Sequence, residues 1–192
     1  MGRRAVVSGF RPRLVFSRSA PTPVAPGQAE RFRLLVLPHL DAAYSYARYL
    51  ARDPAAAEDI VQDAFLRAFR AFASCRGNEK AWLLTVVRNC FLDWIRANRR
   101  APPDIETETV DREHPETIFQ RRQDAEAVRA TVEALPEPFR EALVLRELEE
   151  LPYKDIAALT GAPIGTVMSR LARARAMLAT MLLAREDEGS AA

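Results

Sequence analysis

Four side chains near the end of the chain, Thr166, Ser169, Arg170 and Arg173, recur at intervals of three and four, which puts two hydroxyls and two guanidiniums on one face of a helix. Such groups suit phosphate oxygens and the acceptor edges of bases in a DNA major groove. On the other side of the same helix a 100° wheel collects Ile164, Val167, Met168, Leu171, Ala174 and Leu178, an apolar stripe for packing. The chemistry this suggests is binding. His39 and His114 are isolated, Cys75 and Cys90 form no Cys-x-x-Cys, and no Ser/His/Asp grouping, Gly-rich phosphate loop or metal-ligand spacing occurs. Catalysis, a cofactor, a metal site and a disulfide framework are therefore not expected.

The elements that must position those four residues are legible just upstream. A first helix is expected over 152–159, with Ile156, Ala157 and Leu159 inward and Pro152 in a first turn that loses nothing by lacking an N–H. Gly161 ends it, because glycine takes positive φ without a Cβ penalty, and Pro163 starts the next helix. Two helices joined by a short turn make a helix-turn-helix, the second helix being the one that enters a groove. The same pattern also suits a solvated face in an ordinary bundle. Alone, it does not separate repressor, activator and initiation factor.

At 192 residues and 48% hydrophobic content the chain can build one or two real cores. Its net charge of +2 hides a strong segregation. Residues 1–29 carry five Arg and no acid, 73–100 carry six basic against two acidic residues, 101–127 three against eight, and 128–150 three against six. Two basic surfaces separated by acidic stretches suggest modules with separate nucleic-acid contacts. No uncharged apolar run approaches the length of a membrane span, and the cysteine usage fits a reducing cytoplasm.

Residues 1–28, with five Arg and Pro21, Pro23 and Pro26, read as a disordered basic tail, although an organelle transit segment, an over-extended start or a nonspecific nucleic-acid arm all remain open. Apolar residues at helical spacing from Phe32 to Leu50 predict helix, with a kink or restart at Pro38, and Asp53-Pro54 is an N-cap followed by a first-turn proline. The helix from Ala55 to Phe72 buries Ile60, Val61, Ala64, Phe65, Ala68, Phe69 and Phe72. Its opposite face holds Asp59, Gln62, Asp63, Arg67 and Arg70 around Leu66, which suits either a docking anchor or one ordinary exposed leucine. After a loop over 73–80, a helix over 81–100 divides into a core side, Leu83, Val87, Cys90, Phe91, Trp94 and Ile95, and a basic side, Thr85, Arg88, Asn89, Arg96 and Arg99, with Trp82 at the edge. A basic face beside a polar loop can hold a single DNA strand through backbone charge and base stacking, while core packing remains the alternative for each tryptophan.

Ala101-Pro102-Pro103 stops that helix, and the acidic stretch over 101–124 is a linker. Helices over 125–135 and 139–148, broken by Leu-Pro-Glu-Pro, supply Val128, Val132, Leu135, Phe139, Ala142, Leu143, Leu145 and Leu148 to a small core beneath the helix-turn-helix, and residues 185–192 are expected to fray. The fold class is all-α: two small helical domains, 29–100 and 125–184, joined by a flexible linker, the second ending in the helix-turn-helix.

Three runs now stand in order: Ala-Glu-Asp-Ile-Val-Gln-Asp-Ala-Phe-Leu-Arg-Ala-Phe over 57–69, Ala-Trp-Leu-Leu-Thr-Val-Val-Arg-Asn over 81–89, and Gly-Thr-Val-Met-Ser-Arg-Leu-Ala-Arg-Ala-Arg over 165–175, led by Leu-Pro-Glu-Pro-Phe-Arg-Glu-Ala-Leu. Over residues 30–182 the chain resembles an extracytoplasmic-function sigma factor of bacterial RNA polymerase, of the sigma-70 family. The resemblance implies that 29–100 is sigma region 2 and 125–184 sigma region 4, with the linker lying along the polymerase's active-site cleft and RNA exit path. Asp59, Gln62, Asp63, Leu66 and Arg70 would then bind core polymerase at its beta-prime clamp, the beta flap being the other core partner. The loop with Arg76 and Asn78, and the helix with Trp82, Arg88, Asn89, Arg96 and Arg99, would take the −10 element as a flipped base and a melted strand. Thr166, Ser169, Arg170 and Arg173 would read the −35 element. The resemblance further implies a cytoplasmic, non-enzymatic initiation subunit for promoter DNA, restrained by an anti-sigma factor and not inserted in a membrane. Outside the pattern stand the Arg/Pro tail, the variable loop over 73–80 and Leu151-Pro152, where the polar N-cap often found before the corresponding helix is missing. A stand-alone helix-turn-helix regulator explains 151–178 but leaves the docking face and the basic helix idle; a helical adaptor with merely solvated basic faces is a third class.

Overall fold

A computed structural model describes residues 27–98 and 127–190, with side chains described as far as 184. The basic tail up to residue 26, Arg99 and the whole acidic linker over 101–124 lie outside those residues. Among the described residues there is no strand, so the expected all-α class holds.

Helix α1 (Gln28–Leu35) is followed by a 3-10 turn over Leu37–His39 that carries Pro38, and α2 (Leu40–Ala51) restarts behind it. Proline lacks the N–H for a continuous α-helix, so the restart falls where the sequence puts it. Helix α3 (Pro54–Ala71) begins on Asp53, whose carboxylate accepts from the amides of Ala55 and Ala56 at 3.2 Å, with Pro54 in the first turn. A short 3-10 turn over Phe72–Ser74 and a polar loop then lead to α4 (Glu79–Asn98). Asn78 is the cap of α4, its Oδ1 accepting from the Ala81 amide. Packing of α2, α3 and α4 on one another makes the first bundle, and Phe32 of α1 seals its end by meeting Phe69 and Phe72 edge-on at 5.2 and 5.5 Å between ring centres.

In the second bundle a helix over 127–133 precedes α5 (Glu137–Leu143), which runs into a π-helical turn over Val144–Leu148. Helix α6 (Tyr153–Thr160), a three-residue connection and α7 (Ile164–Ser190) complete it. Gly161 stands at φ 69°, as the turn requires. The first turn of α6 has no side-chain cap, in keeping with Leu151-Pro152. The backbone of α7 stays helical through Ser190, past the expected fraying point.

Several core assignments need correction. Val128, Leu148, Ile164 and Met168 are exposed, the last two at 49% and 52%. For Leu148 the reason is the π turn, which spends an extra residue in one turn and so rotates the end of the segment away from the core. In α4, Leu84 and Val86 are fully buried although they lie off the expected apolar stripe, while Trp94 and Ile95 are only half-buried. Helix α4 is covered on a second side because α6 packs against it. The two bundles share one continuous buried cluster.

Cys90 is buried in that core, and burial pushes its thiol up to about 12. Burial also raises the half-exposed Cys75, which keeps access to solvent. Since the thiolate is the nucleophile, alkylation of the native chain near pH 8 is expected at Cys75 alone, with Cys90 reacting only after unfolding. Peptide mapping that finds both cysteines modified at equal rates in the native protein would contradict this core position.

Candidate nucleic-acid and polymerase-docking surfaces

The first surface is the outer side of α3. Ala57, Ile60, Val61, Ala64 and Ala68 are buried, which leaves Asp59, Gln62, Leu66 and Arg70 exposed on the far side and Asp63 half-buried among them. Leu66 is 53% exposed. Arg67 joins Asp63 at 2.7 Å and Asp93 of α4 at 2.6 Å, pinning the inner border of this face to the bundle. The result is an apolar knob held out from a rigid helix and ringed by polar groups.

The second surface is formed by the loop before α4 and by α4 itself. Arg31, Leu35, Phe72, Cys75 and Arg76 line an open pocket at the loop, with the Arg31 guanidinium 5.9 Å from the centre of the Phe72 ring. Trp82 is not an exposed platform: it is half-buried, edge-on to Phe72, and its indole N–H is buried with no hydrogen-bond partner among the described residues. Arg76 Nη1 donates to the carbonyls of Ala73 and Cys75 and so braces the loop. Asn89 is half-buried, Arg96 is exposed but paired with Asp93 at 2.6 Å, and Arg99 lies beyond the described residues.

Arg88 and Lys80 of α4, and Asn78 at its cap, are engaged by the second bundle, whereas Thr85 donates to the Ala81 carbonyl of its own helix. Arg88 Nε meets Glu141 Oε1 at 2.7 Å, and the Tyr46 hydroxyl donates to the same oxygen at 2.8 Å. Burial, above all, holds the Tyr46 phenol well above its ordinary range, so it stays a neutral donor. Lys80 Nζ bonds both the backbone carbonyl and the carboxylate of Glu149 at 2.9 Å, and Asn78 Nδ2 donates to Asp155 at 3.1 Å. On α2, Arg48 pairs with Glu133 at 3.2 Å and Arg52 reaches the Leu135 carbonyl. Glu133, Glu141, Glu149 and Asp155 are functional candidates that sequence reasoning missed. For the three glutamates, the acidic excess over 128–150 opposite the basic excess over 73–100 was the signal available; Asp155 lies outside that segment.

The third surface is the helix-turn-helix. Arg146 anchors it by donating to the Leu151 carbonyl and stacking over Tyr153 at 5.1 Å, and Arg175 ties α7 to Glu147 at 2.6 Å. Val167, Leu171 and Ala174 are the buried seam of α7. Ser169 and Arg173 are exposed, whereas Thr166 and Arg170 are half-buried at the border of the free face. Because Ile164 and Met168 turn outward, that face runs through Gly165, Met168, Ser169, Ala172 and Arg173. It is thus rotated from the face the wheel gave.

Both bundles are similar to known proteins. Residues 35–101 match the family model for sigma-70 region 2, and residues 125–178 match that for sigma-70 region 4. The chain is 34% identical over 167 residues to the ECF RNA polymerase sigma-E factor of Escherichia coli, covering 79% of this chain and 86% of that one. It is also 34% identical over 163 residues to the RNA polymerase sigma-H factor of Pseudomonas aeruginosa, covering 78% and 84%. Among solved structures, the sigma factor RpoE in complex with the anti-sigma factor NepR from Bartonella quintana matches with a TM-score of 0.64 at 30% identity, covering 81% of this chain and 97% of that one. CnrH, in complex with the cytosolic domain of CnrY, matches with a TM-score of 0.62 at 26% identity, covering 84% and 93%.

Proposed function

Because this chain belongs to the extracytoplasmic-function sigma factors of the sigma-70 family, we propose that its three surfaces divide the work of promoter recognition between two domains, 29–100 and 125–184. The outer side of α3, with Asp59, Gln62, Asp63, Leu66 and Arg70, docks on core polymerase. The loop pocket beside Phe72 receives a flipped −10 base, and α4 holds the displaced strand through Arg88, Asn89, Arg96 and Arg99. Flipping costs a few kcal/mol, offset by the pocket and by strand contacts. The free face of α7 reads the −35 element with Ser169 and Arg173, bordered by Thr166 and Arg170. The observation that carries this division is Leu66, a large apolar side chain held out at 53% exposure on a helix whose other side is core.

The chain acts without catalysis of its own, in the cytoplasm where polymerase is, and is restrained by an anti-sigma factor. The similarity to RpoE, solved in complex with the anti-sigma factor NepR, supports that last point. Among the described residues no helix is long and apolar enough to cross a membrane. Reconstitution with core polymerase followed by genome-wide mapping of transcription starts tests the whole reading: a shared two-element promoter is the expected result. Tight binding of a duplex operator without polymerase, and no new starts with it, would instead favour a stand-alone regulator.

Asn89 makes no side-chain hydrogen bond among the described residues, so its loss should leave the fold intact. Asn89→Ala is expected to slow promoter opening several-fold, the loss of about one hydrogen bond to the strand, at unchanged polymerase affinity. Equal opening rates for wild type and variant, followed by a fluorescent base in the −10 element, would remove Asn89 from the site.

A further inference from the structure

We propose that the first turns of α7 select thymine: Ile164, Met168 and Ala172 form an apolar edge that meets thymine C5-methyl groups in the major groove, and Gly165 lets the helix come close enough for that contact. This rests on the −35 reading of the free face and names the bases it selects. The rotation of α7 divides that face in two. Thr166, Arg170 and Arg173, at intervals of four and three, make a polar, basic edge, while Ile164, Met168 and Ala172, at intervals of four, make an apolar one. Ile164 and Met168 are about half exposed, so neither owes its place to the core. Both sit in the first two turns of α7, the part of a recognition helix that faces base edges. In that groove every base pair offers polar groups, but thymine alone adds a methyl, the one apolar feature such side chains can cover. The polar part of the face is sparser than its residue types suggest, since the Ser169 hydroxyl donates back to the Thr166 carbonyl at 3.0 Å and keeps only acceptor capacity. Gly165 lies between the two edges, exposed and helical, and a Cβ there would meet nothing within 4 Å inside the chain. Packing within the chain therefore gives no reason for a residue that weakens a helix relative to alanine, whereas a bare backbone in the middle of the face lets it approach the groove floor. The guanidiniums of the basic edge supply the charge complementarity to the neighbouring phosphates.

The test uses the full chain and a fluorescent duplex that carries the −35 element of one of its own mapped promoters. Each thymine in turn is replaced by uracil, which removes the methyl and leaves every hydrogen-bonding group in place. At one or two positions the exchange is expected to lower affinity about fourfold, the worth of one buried methyl group. Met168→Ala should bind the unmodified duplex about as weakly as the wild type binds the uracil one, and should be indifferent to uracil at one of those positions. Its salt slope should match the wild type, because no phosphate contact is lost, and so should its melting temperature, because the side chain is half exposed. Gly165→Ala is expected to lower affinity without lowering the melting temperature. Wild-type affinity that ignores uracil at every thymine would overturn the thymine contact, and so would a uracil effect as large in Met168→Ala as in the wild type. Wild-type binding by Gly165→Ala would overturn the close approach. If the wild type does not prefer its −35 duplex to a scrambled one, the −35 reading itself falls, and the thymine contact with it; preference without any uracil effect overturns the thymine contact alone.

Discussion

Replacing Leu66 and Asp63 together with alanine is expected to weaken binding to core polymerase about thirtyfold while the melting temperature stays nearly unchanged. Truncating a central interface anchor costs about 2 kcal/mol or more, and about 1.4 kcal/mol is tenfold in affinity. Folding has little to lose at this site. Leu66 is more than half exposed, and changes at such positions stay within about 0.5 kcal/mol. Asp63 gives up a partly exposed ion pair with Arg67, worth at most about 1 kcal/mol, and a weak hydrogen bond with the Cys90 thiol, while Arg67 keeps Asp93. A quantitative pull-down with core polymerase, run beside a thermal melt, separates the two effects. Unchanged affinity would remove the outer side of α3 from the polymerase contact; a large drop in melting temperature would mean that the face is structural.

What the chain's sequence makes legible here is local punctuation. Asp53-Pro54, Pro38 and Gly161 each act through a backbone constraint confined to a few residues, and each does in the structure what its type requires. Leu66 stands out for the same reason, since one helix face is fully specified by the period of its own residues. Misplaced residues fall where a second element intervenes. Helix α4 belongs to the first bundle and is also packed by α6 of the second, so no single stripe describes it: Leu84 and Val86 are core, and Arg88 is drawn into an ion pair. Nothing local announces the Arg88–Glu141 pairing, whose members are 53 residues apart on either side of an acidic segment. Only the segmental charge count hinted that the basic surface had an acidic counterpart inside the chain. The rotation of the α7 face has a similar origin. A wheel weights Ile164 and Met168 as core by their hydrophobicity, but over that stretch of α7 the bundle buries Val167, Leu171 and Ala174 and leaves those two exposed.

That rotation separates two arginines the sequence treats alike, and sharpens what their loss should do. Arg173 is exposed, outside any ion pair among the described residues, and lies on the free face of α7, whereas Arg170 is half-buried at its border. Arg173→Ala is expected to cost about tenfold or more in affinity for a duplex −35 element, the worth of a hydrogen bond to a charged group, and Arg170→Ala less. If both meet phosphates, the double variant lowers the slope of log affinity against log salt by about one unit for each contact and weakens all sequences alike. If Arg170 instead reaches a base edge, its loss leaves the slope in place and relaxes preference at one position. The measurement belongs on the free protein with duplex DNA, because in the holoenzyme the polymerase-bound first domain holds the second near its target and effective concentration hides part of the loss. A salt series on both single variants decides between the roles, and slope and sequence preference unchanged in both would take this pair out of −35 recognition altogether.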